Sequence, residues 1–232
     1  MKKDVLKRII IWILLCGAFS VSGLLIIIFA LGYKVSWNHF RLEKTGLIYI
    51  DANPSQLTVE LNDKIIASNV PVKIPNLLPN QYKIILSSPD FQPWENNIDI
   101  EPGKAYVNTD IMLFLKNVIV QPTQTNDVSS FANYLPPDDI LINNSEIKII
   151  QDKDINLVTR LSQDVKVAQW YPGKKYLAYQ VDKEIKIIDI TGEQVVSLIK
   201  LDSDAPSQIL FREGGKIILV KQNDKIIRAQ IR

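Results

Sequence analysis

Asp152, Asp154 and Asn156 set oxygen-bearing side chains at alternate positions, the spacing with which a calcium-binding loop opens. Such a loop also needs glycine at its sixth position and an acid at its twelfth, where this chain has Leu157 and Gln163. The segment reads better as a hairpin turn. Two aromatic pairs, Phe91 with Trp94 and Trp170 with Tyr171, are the candidate interaction residues. They could stack on sugar rings, and at strand spacing they could equally be core or turn-packing aromatics. His39 is the only histidine and Cys16 the only cysteine. Cys16 lies inside a long apolar run and His39 just beyond it, so neither serves a folded metal site or a Ser-His-Asp triad. No disulfide can form within the chain. Asn143-Asn144-Ser145 fits a glycosylation sequon, a match short enough to arise by chance. No nucleophile–base pair and no glycine-rich phosphate loop is visible. The sequence therefore assigns no catalytic residue, no cofactor and no metal ligand, and it reads as a non-enzyme.

The elements around these residues begin with a span that carries no charge. Residues 9–33 are mostly Ile, Leu, Val and Phe. As a helix they cover about 37 Å, enough to cross a hydrocarbon core of about 30 Å. Lys2, Lys3, Lys7 and Arg8 precede the span with only Asp4 against them. The positive-inside rule then keeps the N-terminus in the cytoplasm and puts the rest of the chain outside. Trp12, Tyr33 and Trp37 suit interfacial anchoring. A cleaved signal peptide, cut near Ala18-Phe19-Ser20, is the competing reading, but the apolar run continues well past it. A lipoprotein fits less well, because Leu15 stands before Cys16 where a small residue is required. Ala18 and Ser22 form one small-xxx-small pair, weak support for helix pairing. The formal charge is +2, and the N-terminal tail supplies +3 of it. The chain beyond the span is near neutral, and no basic patch points to nucleic acid.

After residue 45 strand-formers dominate. Leu57, Val59 and Leu61 alternate with polar residues, as do Tyr82, Ile84 and Leu86, and Ile98 and Ile100. Turn pairs separate them: Asn53-Pro54, Asn62-Asp63, Pro79-Asn80, Pro89-Asp90 and Pro102-Gly103. The pattern predicts a small antiparallel β-sandwich with Trp94 and Tyr82 central to its core. The order of short motifs resembles a PEGA domain. Residues 46–50 resemble its opening strand, and residues 54–59 its name-giving tetrapeptide and the strand after it. Pro71 after Val70 begins its next strand. Residues 77–82 resemble the leucine-x-proline-glycine-x-tyrosine segment, and residues 89–94 the glycine-tyrosine-x-x-tryptophan segment. Gln56, Asp63, Asn80 and Asp90 stand where that family usually has glycine. Asn and Asp tolerate positive φ best after glycine, so Gln56 in the first turn is the weakest match.

Beyond a polar stretch from 121 to 127 comes an internal repeat. Residues 168–179 recur 41 positions later as residues 209–220, and the same offset pairs Ile185 with Ile226 and Ile190 with Ile231. A weaker copy precedes them: residues 138–142 and 146–150 resemble residues 174–178 and 184–188. Each copy reads as three short strands, the makeup of a propeller blade, and resembles TolB-like and WD40-like repeats. Two to three blades fall short of the four that a closed ring needs, so we expect an open stack or a shortened relative of a longer protein.

The expected fold class is mainly β: an N-terminal transmembrane helix, a small antiparallel sandwich, then two to three blade-like repeats. The expected parts are a cytoplasmic tail (1–8), transmembrane helix (9–33), stem (34–45), PEGA domain (46–118), linker (119–130) and propeller-like repeats (131–232). The resemblance implies a membrane-anchored, surface-exposed binding or scaffolding protein of the bacterial envelope. Its partners would be the lipid bilayer and a cell-wall glycan or another envelope protein, with no nucleic acid. An accessory or sensor subunit of a membrane complex is the alternative.

Overall fold

A computed structural model describes residues 2–36 and 41–232, with side chains from residue 10 onward. Trp37 and His39, read above as anchor and stem residues, lie outside the described residues. The fold is mainly β, with one long apolar helix, several antiparallel sheets and no closed barrel among the described residues. Helix α1 (Lys2–Ala30) contains Ile10–Ala30, long and apolar enough to cross a membrane, and none of that span is buried.

Contacts divide the chain into two units that interleave in sequence. The first comprises Met1–Asp51, Pro71–Lys83 and Asn97–Thr109, and the second Ala52–Val70, Ile84–Asn96 and Asp110–Arg232.

In the first unit, residues 34–45, expected as a stem, contain a hairpin. Strand β1 (Tyr33–Ser36) pairs with β2 (Arg41–Lys44). Tyr33 closes the uncharged run and Arg41–Lys44 holds a single apolar residue, Leu42, so the sequence did not reveal these strands. Next, β3 (Gly46–Asn53) contains residues 46–50, read as an opening strand, and buries Ile48 and Ile50 fully.

Strands β4 (Thr58–Leu61), β5 (Lys64–Ala67), β6 (Val72–Leu77), β7 (Asn80–Ser88), β8 (Phe91–Ile100) and β9 (Ala105–Met112) come after it along the chain. With β3 they form two sheets in the orders β6-β3-β9 and β5-β4-β7-β8. Gly46 is required in the first of these: a Cβ there would stand 2.5 Å from Ile100 Cγ2 and 2.6 Å from the Lys104 carbonyl. In the other, Val59 lies opposite Leu86 and Leu61 opposite Ile84. Val59, Ile84, Leu86 and Trp94 are buried as predicted, whereas Tyr82 is only half-buried.

The turns match the sequence in part. Asn62 and Asp63 both take positive φ (48° and 62°) between β4 and β5, the geometry of a two-residue hairpin. Asn80 and Asp90 do not take positive φ; Asn76 (φ 59°) does. Asn80 is already the first residue of β7, and extended backbone has no use for glycine there.

The second unit carries the repeat as three antiparallel sheets. Short strand β10 (Ile119–Gln121) and helix α2 (Thr125–Ser130) come first, in the stretch expected as a linker. Strands β11 (Ile140–Asn143), β12 (Glu146–Gln151) and β13 (Asp154–Arg160) form the first sheet. Strands β14 (Val165–Trp170), β15 (Tyr176–Val181), β16 (Glu184–Asp189) and β17 (Val195–Lys200) form the second. The third is β18 (Gln208–Arg212), β19 (Ile217–Gln222) and β20 (Lys225–Gln230), with β10 added beside β20. The central hairpin of each copy turns through a positive-φ Asn or Asp at the matching position: Asn144 (49°), Asp182 (48°) and Asn223 (53°). Asn144 thus puts the sequon-like triplet in a hairpin turn. Asp152 and Lys153, also at positive φ, form the turn between β12 and β13, which gives the Asp152–Asn156 spacing a structural role.

The sheets stack face to face. Every residue of β15 is buried. Leu177, Tyr179 and Val181 pack with Ile147, Ile149 and Val158 of the first sheet. Tyr176 and Ala178 point the other way, to Ile209, Ile218 and Val220 of the third. A strand buried on both faces needs apolar side chains in both phases, and YLAYQV supplies them. Its one polar member, Gln180, is fully buried and satisfied: its Oε1 accepts from Ser207 N (2.9 Å) and Ser207 Oγ (2.8 Å), and its Nε2 donates to the Ala205 carbonyl at 2.9 Å.

Candidate functional site

The stacking leaves one repeat face uncovered. The corresponding faces of the second and third sheets are each covered by the sheet before, through Leu177 and Tyr179 in one and Ile218 and Val220 in the other. On the first sheet, the face opposite Ile147 and Ile149 is open. It presents Leu141, Ile150, Ile155 and Leu157, exposed by 37, 40, 61 and 50%. The register places Lys148 between Leu141 and Leu157, and Ile150 opposite Ile155. Glu146, on the same face, accepts from Lys148 Nζ at 2.7 Å and Arg160 Nη2 at 2.5 Å. Those hydrogen bonds, first from Lys148 and then from Arg160, hold the Glu146 carboxyl below its ordinary pKa.

Ile150 also lines a cleft of about 220 Å³ together with Asp139, Gln151, Asp152, Trp170 and Lys174. Trp170 Nε1 donates to Asp139 Oδ1 at 2.6 Å, and Lys174 Nζ reaches Asp139 Oδ2 at 2.5 Å. The same Nζ stands 5.4 Å from the Trp170 ring centre, a cation–π contact. Burial raises the Asp139 pKa, but the hydrogen bonds from Lys174 and Trp170, with the Lys174 charge, outweigh it and hold the carboxyl below its ordinary value. The Ile150 amide donates to the Asp139 carbonyl at 2.9 Å, so the Asp139–Trp170–Lys174 cluster is tied to the uncovered sheet.

The four aromatics named from the sequence fall in different settings. Tyr171 is buried in a cluster of edge-on rings with Phe114, Tyr176 and Phe211. Burial pushes its hydroxyl pKa up, against the nearby Arg232 charge. Trp94 is buried, and Phe91 is half-buried, bridging to Leu115. Trp170 borders the cleft beside Asp139, with Lys174 over its ring.

A second polar site was not read from the sequence. Arg228 is buried, and its Nη1 donates to the buried Asp127 of α2 at 3.0 Å. Its Nη2 reaches Glu213 at 3.1 Å and its Nε reaches Gln121 at 3.1 Å. Arg212, Ser129 and Asn126 join them around an open cleft of about 470 Å³. The 41-residue offset held the signal: it sets Arg228 on Ile187, a charge at a core position of the repeat. The network fixes α2 over the third sheet, where Phe131 packs on Ile217 and Leu219. Among the described residues no group of three His, Cys, Asp or Glu side chains is placed to hold a metal ion.

Residues 45–114 match the family model described as PEGA domain, so this segment, under half of the chain, carries that domain. No curated protein matches the chain. Among solved structures, an auxiliary nutrient-binding protein from Bacteroides thetaiotaomicron VPI-5482 is similar at 10% identity and a TM-score of 0.21. The alignment covers 76% of this chain and 60% of that one, and so low a score carries no argument about fold or ligand.

Proposed function

We propose that the protein is a single-pass, membrane-anchored binding protein of the bacterial cell envelope, with its N-terminus in the cytoplasm and its β domains outside. The observation that carries this reading is the uncovered apolar helix over Ile10–Ala30. Phe19 and Ile26 alone are 80% and 67% exposed, and a bilayer is the solvent that removes such a surface from water. The tail charges Lys2, Lys3, Lys7 and Arg8 set the orientation.

The three stacked sheets we read as propeller-blade-like repeats. Their shared hairpin register and the completion of the third sheet by an earlier strand support that reading. The binding surface is the open face of the first sheet with the adjoining Trp170 cleft. Its aliphatic character, and the burial of Tyr171 and Trp94, favour another envelope protein over a wall glycan as partner.

Orientation is tested with a Cys16→Ser chain carrying Asn144→Cys in a hairpin turn. A membrane-impermeant maleimide should label it in intact cells. Labelling only after the membrane is broken would defeat the orientation, and recovery of the chain in the soluble fraction would defeat the anchor. The surface is tested by Ile155→Asp with Leu157→Lys, which should abolish stoichiometric co-purification of an envelope protein from detergent extracts while leaving the circular dichroism unchanged.

A further inference from the structure

We propose that the β1–β2 hairpin is a docking surface for anionic lipid headgroups, a second membrane contact beside the helix. The inference rests on the anchor reading above. Ile10–Ala30 spans about 32 Å as a helix, close to the hydrocarbon thickness, so its end reaches the headgroup layer. The chain has no slack there. Gly32, at φ 81°, turns out of the helix, and its amide donates to the Phe29 carbonyl at 3.0 Å. Thr45, just past β2, then closes the hairpin onto this turn: its amide and its hydroxyl both donate to the Gly32 carbonyl at 2.8 Å. Both ends of the hairpin are thus held beside the last turn of the helix, and its four-residue strands reach no more than about 14 Å from there.

The side chains it holds there suit that surface. Arg41 and Lys44 are exposed, one on each face of β2, and neither forms an ion pair with a described residue, so the positive charge flanks the hairpin on both sides. Lys34 keeps its Nζ on the Asn76 carbonyl at 2.9 Å, which braces the hairpin against the β3 sheet's unit. Leu42, 52% exposed, and Tyr33 add an apolar residue and an interfacial aromatic. Only Glu43 opposes these charges on the two strands, so the hairpin is net positive. Basic residues near an anionic leaflet are drawn to it by the surface potential, and the attraction fades within a Debye length.

The test uses the full chain with Cys16→Ser and an environment-sensitive fluorophore on Leu42→Cys. It is reconstituted in vesicles of phosphatidylcholine alone or with phosphatidylglycerol, each containing a headgroup-linked quencher. Quenching should be stronger with phosphatidylglycerol and should fall with salt. Arg41→Ser and Lys44→Ser should each lower the headgroup-bound population about fivefold, while Arg41→Lys with Lys44→Arg should keep it. Equal quenching in the two lipids, or no response to loss of both charges, overturns the docking surface. A chain that does not stay with the vesicles at all fails the anchor reading instead, and sedimentation separates the two results.

Discussion

The Tyr171 ring lies so close over Gly215 that a Cβ on Gly215 would overlap its Cζ and hydroxyl. The Tyr171 hydroxyl donates to the Gly215 carbonyl at 3.3 Å and accepts from Arg232 Nη1 at 3.0 Å. One residue of the second repeat is thereby seated on a turn of the third. Gly215 also has φ 89°, so Gly215→Ala adds backbone strain to steric overlap. We expect a loss of about 3 kcal/mol, measured by chemical denaturation. Tyr171→Phe removes only the polar contacts and should cost about 1 kcal/mol. Equal losses from the two would show that the ring can move aside.

Asp127 and Arg228 form a buried ion pair. Asp127→Ala leaves the guanidinium with exposed Glu213 as its one counter-charge among the described residues and should cost about 3 kcal/mol. Joint replacement, Asp127→Leu with Arg228→Met, should recover most of that loss, since well-packed apolar groups avoid the desolvation cost. Thermal unfolding of the three variants checks the order.

Tyr179 is fully buried in the stack of the first and second sheets, and its hydroxyl has no hydrogen-bond partner among the described residues. Burial, with the Glu184 charge, pushes its pKa up to about 12. Tyr179→Phe removes an unsatisfied polar atom and keeps the ring, so stability should rise by up to about 1 kcal/mol. A fall in the denaturation midpoint would refute this.

Two groups set opposite pH limbs. The Asp139 pKa is depressed, so the folded state binds fewer protons than the unfolded one. Its contribution is present above about pH 4 and is lost as pH falls through the lower folded value. Asp139→Asn should flatten this acid limb. Tyr176 is the reverse: burial, helped by the Asp189 charge, raises its pKa from 10.0 to about 12, against the Met112 amide hydrogen bond. Its contribution is full below pH 10 and is lost as pH rises through about 12. Tyr176→Phe should flatten that alkaline limb. Unfolding midpoints across pH read both.

Much of this architecture is legible along the chain because its signals are local. An uncharged run makes α1, period-two alternation buries Val59, Ile84 and Leu86, and the offset between residues 168–179 and 209–220 marks matching strands. Long-range features are hidden. β10 has three residues and finds its partner more than a hundred positions away, which no window of residues can reveal. In the β1–β2 hairpin, β2 carries one apolar residue, Leu42, and shows no period. The Asp127–Arg228 pair joins a helix that precedes the repeats to their last strand. The aromatics show the limit most plainly: Trp170 and Tyr171 are neighbours, yet Trp170, the last residue of β14, borders a cleft and Tyr171, just past the strand, packs in the core.

The pairing of Ile119–Gln121 with Arg228–Gln230 orders events during synthesis. A polypeptide that emerges N-terminus first delivers β10 before any other strand of the three sheets, and its partner β20 last of all. The intervening hundred residues must wait with an open edge at one end, exposed to pairing with a neighbouring nascent chain. The β10 edge of the third sheet therefore waits for β20, and synthesis halted before that point would leave β10 unpaired.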